Sequence, residues 1–170
     1  MKSFIYRKSA QRLLNTNQEI IDDYLSAKWI LSIALSLDGK YLFSCGEAGD
    51  LKQWVIKTGG LVKDFGFLDR DFPDFICLGI LISKNGKYLW MFGSQGILKK
   101  ICIKRQCVIK CYKKVTKYDI YSITETSDRQ FMFICDDHGI MKQYHSKNGK
   151  LFKNYKKVHK GPIFAVKSTN

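Results

Sequence analysis

One segment of this chain occurs three times, and that recurrence limits the possible folds more than any other feature. Ile33-Ala34-Leu35-Ser36-Leu37-Asp38-Gly39-Lys40-Tyr41-Leu42 returns 47 residues later as Ile80-Leu81-Ile82-Ser83-Lys84-Asn85-Gly86-Lys87-Tyr88-Leu89. A weaker copy, Ile123-Thr124-Glu125-Thr126-Ser127-Asp128-Arg129-Gln130-Phe131-Met132, follows after a further 43. Other columns keep the same offsets: Gly49, Gly96 and Gly139; Lys52, Lys99 and Lys142; Trp54, Ile101 and Tyr144. Leu61, Val108 and Leu151 form another, as do Phe65, Tyr112 and Tyr155. A repeat of this length is one supersecondary unit, which buries its faces by stacking on its neighbours.

Each unit reads as four short strands. The first is apolar and β-branched: 30–35, 77–82 and 120–124. Asp38-Gly39 and Asn85-Gly86 are hairpin turns because glycine accepts positive φ, and Asp128-Arg129 takes their place in the third unit. The second strand covers 41–45, 88–92 and 131–135, and the third 51–56, 98–103 and 141–145. The fourth covers 61–65, 108–112 and 151–155. Four strands per period of about 40 to 45 residues predict the blades of an all-β propeller.

The order of an apolar strand, Ser36-Leu37-Asp38-Gly39-Lys40-Tyr41-Leu42, and then Gly49-Asp50-Leu51-Lys52-Gln53-Trp54 resembles the WD-repeat family of β-propellers. Val158-His159-Lys160-Gly161-Pro162-Ile163 looks like that family's Gly-His lead into a first strand, in register with Ile120. The resemblance spans roughly residues 11 to 170 and implies a rigid, non-catalytic interaction scaffold. It also implies a tether of His, Ser or Thr, Asp and Trp within each blade. Here Trp54 and His159 fall in different blades, and Ala48, Gln95 and His138 replace the turn Asp. No blade can complete the tether, so apolar contact between stacked sheets, at about 25 cal/mol per Å², is expected to hold the blades together. The lysine column is expected to lay its stems on the sheet and reach water with its ammonium groups.

The whole chain, 1–170, is expected to form one propeller domain of about four blades. Full blades lie at 30–65, 77–112 and 120–155. Residues 11–25 align with the third and fourth strands of a partial blade, although their apolar spacing also fits a helix. Residues 163–168 supply the first strand of a further blade. The result is an open arc, completed by further chain or by self-association, or a small closed ring.

Composition narrows the function. There are 29 Lys and Arg against 15 Asp and Glu, a net charge of +14. The placement is informative: Lys113, Lys114 and Lys117 recur one period on as Lys156, Lys157 and Lys160. Both groups fall in loops between blades, on one rim. With Phe67 and Phe72 they form the candidate partner-binding set, suited to an acidic or phosphorylated protein, with RNA or another polyanion as the alternative. Cys45 and Cys135 share a core position, and the six cysteines read as buried free thiols, since no pair has metal-ligand spacing. The three histidines make no catalytic set, and there is no phosphate-binding glycine motif. Catalysis and a cofactor are therefore not expected. No apolar stretch is long enough to span a bilayer, and the expected location is cytoplasmic.

Overall fold

The structure, a computed structural model, describes residues 29–47, 49–67 and 75–168. They form three four-stranded antiparallel sheets, each a meander in chain order. The first holds β1 (Ile30–Leu35), β2 (Tyr41–Gly46), β3 (Asp50–Val55) and β4 (Leu61–Phe67). The second holds β5 (Cys77–Ile82), β6 (Tyr88–Gly93), β7 (Leu98–Cys102) and β8 (Cys107–Tyr112). The third holds β9 (Ile120–Glu125), β10 (Phe131–Asp136), β11 (Ile140–His145) and β12 (Leu151–Lys157). The expected all-β blades are present.

The repeated segment has a direct physical cause. Ser36 Oγ donates to Asp38 Oδ1 at 2.6 Å, Lys40 N donates to the same oxygen, and Tyr41 N donates to Ser36 Oγ. Ser83 and Asn85 make the same three bonds with Lys87 and Tyr88. Thr126 and Asp128 do so with Gln130 and Phe131. The hydroxyl and the Asx side chain close the turn, and the left-handed residue after it is Gly39, Gly86 or Arg129, with φ of 67°, 67° and 59°. The column Gly49, Gly96 and Gly139 has a second cause. At these positions a Cβ would collide with the carbonyl oxygens of Phe75, Thr116 and His159, so glycine lets an incoming loop lie against the turn.

The sheets stack in chain order through two apolar clusters. Phe43, Cys45 and Leu51 of the first sheet pack with Cys77, Leu89, Met91 and Ile101 of the second. Trp90, Phe92 and Leu98 of the second pack with Ile120, Met132 and Ile134 of the third. Cys45 and Cys77 are free thiols with their sulfurs 2.7 Å apart, and burial together with its neighbour raises the pKa of Cys77. The inner strands are also tied side by side: Ile80 N donates to Ser32 Oγ. Neither cluster joins the first sheet to the third, so the described residues form an open arc.

Four expectations are corrected. Strands β4 and β12 run two residues beyond 65 and 155, so Lys156 and Lys157 end a strand instead of lying in a loop. The cause is an Asx turn with a bulge: Asp64 and Asn154 accept from the N–H of Gly66 and Lys156, which have φ of 59° and 53°. β8 has Cys111 at that position and lacks the device. Residues 163–168 form no strand, because they have no ladder partner among the described residues. They still occupy the place of a next inner strand, since Val166 N donates to Ser122 Oγ as Ile80 N does to Ser32 Oγ. Lys99 is 1% exposed, its Nζ 4.2 Å from the Phe75 ring centroid, so this member of the lysine column does not reach water. Only three cysteines, Cys45, Cys77 and Cys135, are buried. Cys102 is half-buried, and Arg105, through its backbone and side chain, lowers the pKa of that thiol. The partial blade expected at 11–25 lies outside the described residues.

Candidate partner-binding rim

Alternate connections of a meander lie at opposite ends of the sheet. The β2–β3, β6–β7 and β10–β11 turns therefore share one rim with the segments that follow β4, β8 and β12. Lys113, Lys114 and Lys117 stand on this rim after β8, and Lys156, Lys157 and Lys160 at and beyond the end of β12. All six are exposed. Phe67 ends β4, its backbone paired with Asp50. Phe72 lies outside the described residues.

Four of the six lysines are divided between two hollows instead of forming one cluster. Lys156 and Lys157 line a depression of about 340 Å³ with Tyr118, His138 and Asn154. There the Tyr118 and His138 rings stack, centroids 3.6 Å apart and 11° from parallel. Asp137 Oδ1 lies 2.8 Å from His138 Nδ1 and fixes the imidazole. Lys113 and Lys114 line a groove of about 350 Å³ between the second and third sheets. Lys117 and Lys160 line neither hollow.

Three residues that hold the rim, Asp136, Thr116 and Val115, were not singled out by the spacing. Asp136 is 1% exposed, and its carboxylate accepts Thr116 Oγ1 at 2.5 Å and the N–H groups of His138 and Ile140. Thr116 sits among the first lysines, so this buried link clamps their loop to the β10–β11 turn. The same column holds Gly46 and Gly93 in the other blades, and that break in the repeat was the available signal. Val115 O, in the same loop, accepts from Lys142 Nζ at 2.9 Å and Tyr144 Oη at 2.8 Å. Of the tether implied by resemblance, one bond forms among the described residues: Trp54 Nε1 donates to Ser44 Oγ at 2.9 Å.

Among the described residues no group of three His, Cys, Asp or Glu could hold a metal ion. No helix among them is long and apolar enough to cross a membrane.

No protein-family model and no curated protein matches the sequence. Solved structures do match in shape. The crystal structure of the RRP9 WD40 repeats aligns with a TM-score of 0.73 at 12% identity, over 84% of this chain and 42% of that one. The structure of U3-55K aligns with a TM-score of 0.71 at 12% identity, over 84% of this chain and 43% of its own. The chain thus spans less than half the length of either. Three sheets of the right strand order, the turn chemistry of the repeat and these alignments lead to one conclusion: the chain has the WD-repeat β-propeller fold.

Proposed function

We propose that this chain is a non-catalytic protein-interaction scaffold whose basic rim receives an acidic or phosphorylated partner. The observation that carries the reading is the rim itself: six exposed lysines, in two sets one period apart, held by buried contacts such as Asp136 with Thr116. Rigid stacked sheets keep such a surface preorganised, so little ordering entropy opposes binding. The test is fluorescence anisotropy with a labelled glutamate-rich peptide, its phosphoserine version and a single-stranded RNA of equal length. Replacing Lys156 and Lys157 by Glu should weaken the peptides at least tenfold, while the RNA binds no better than other polyanions.

A polyanion reading has one observation in its favour. The stacked Tyr118–His138 pair beside Lys156 and Lys157 is the kind of aromatic surface that bases use. RNA binding tighter than peptide, with a steep loss in salt, would select it.

The scaffold reading includes self-association that extends the arc. Ile30, Ile33 and Leu35 of β1 are 68%, 62% and 59% exposed, an apolar face of the kind a neighbouring blade covers. Sedimentation showing a compact monomer at every concentration would remove this part of the reading.

A further inference from the structure

We propose that the groove between the second and third blades seats an acidic peptide segment of the partner, anchored by one apolar side chain and by an acceptor oxygen on Trp90 and Ser146. The inference rests on the scaffold reading and says where the partner is anchored.

The repeat supplies the comparison. The middle of the second strand is Phe43, Trp90 or Phe133, and the position just past the third strand is Ile56, Ile103 or Ser146. Elsewhere both columns are apolar. Only at this junction do they carry hydrogen-bonding atoms, Trp90 Nε1 and Ser146 Oγ. The two residues are 3% and 9% exposed, and neither atom has a hydrogen-bond partner among the described residues. Buried polar groups are seldom left so. Both residues line the same groove of about 350 Å³.

The lining defines the occupant. Met132, Ile134 and Tyr112 give apolar and aromatic walls that suit a large side chain. An indole N–H can only donate, so the group facing it must accept. The lining carries positive charge: Lys113 and Lys114 stand on it, Lys110 Nζ lies 4.6 Å from the Tyr112 centroid, and Lys100 Nζ lies 4.8 Å from that of Trp90, its charge opposed by nearby Glu125. That field favours an acidic segment and rejects a basic one.

The experiment follows the indole N–H signals of 15N-labelled protein, one for each of three tryptophans, with W90F assigning the one from Trp90. Phenylalanine already fills that column in the neighbouring blades, so the variant should fold. The probes are capped pentapeptides with glutamates flanking leucine, methionine or phenylalanine, their lysine-flanked counterparts, and a short single-stranded RNA. The Trp90 signal should move downfield and saturate with a glutamate peptide and ignore the lysine ones. S146A should weaken that peptide about five- to tenfold, the loss of one hydrogen bond. A Trp90 signal unmoved by every glutamate peptide, or moved as much by lysine peptides or RNA, overturns the inference. If the backbone amides of Lys156 and Lys157 respond while Trp90 does not, the groove falls and the rim reading stands. If both are silent, both fall.

Discussion

The turn that opens each repeat shows how single side chains set the local structure. Ser36, Ser83 and Thr126 each donate to an Asx oxygen two residues on and accept from the strand that follows. Arg129 pays for the one imperfection, since it holds a left-handed φ of 59° where the other copies have glycine. Arg129→Gly should therefore stabilise the protein by about 1 kcal/mol, seen as a higher urea midpoint. The same turns predict a response to acid. The Ser36 and Thr126 hydroxyls first, then the Lys40 and Gln130 N–H groups, hold the carboxyls of Asp38 and Asp128 below their ordinary values. Their contribution is complete above the unfolded carboxylate pKa and is lost as pH falls through the lower folded one. Asn85 makes the same bonds and does not titrate in this range. The double variant D38N/D128N should therefore lose its urea midpoint less steeply below about pH 4.

Strands differ between blades where one column changes chemistry. Gln143 Oε1 accepts from Tyr155 Oη at 2.8 Å in the third blade. Its counterpart Gln53 is 4% exposed, and its Oε1 has no partner among the described residues, because Phe65 stands where Tyr155 stands. Phe65→Tyr should supply the bond and stabilise by about 1 kcal/mol, read as a raised thermal midpoint. Strand existence was legible in the chain because β-branched runs alternate with Asx and glycine turns at fixed offsets. Strand ends were less so. The extension of β4 and β12 depends on Asp64 and Asn154 closing a bulge, a bond that periodicity does not register. Residues 163–168 show the opposite case: their apolar pattern is that of a strand, and only a ladder partner would make them one.

Cohesion of the arc lies in the contacts between sheets. Leu51 is fully buried in the cluster that joins the first sheet to the second, whereas Leu61, on β4, is 51% exposed. Leu51→Ala should cost about 2–5 kcal/mol, while Leu61→Ala should change stability by less than about 0.5 kcal/mol. Matched urea titrations would test the contrast. A single transition in the Leu51 variant would mean that the blades unfold together, and two would mean that the first blade separates. The rim depends on the same stacking. Its lysines were visible as a pattern repeating after 43 residues, but their division between two hollows was not. Which lysines share a hollow is set by where the sheets touch and by the Asp136–Thr116 link across the loop.

The order of residues along this chain dictated the strands, their turns and their grouping by four, because those follow from local backbone preference and the alternation of apolar side chains. Contacts between residues far apart in the chain decided the rest: the burial of Lys99, the paired thiols of Cys45 and Cys77, and the unpartnered donors of Trp90 and Ser146. Each depends on which sheet lies opposite, and a period in the sequence carries no record of how two sheets meet.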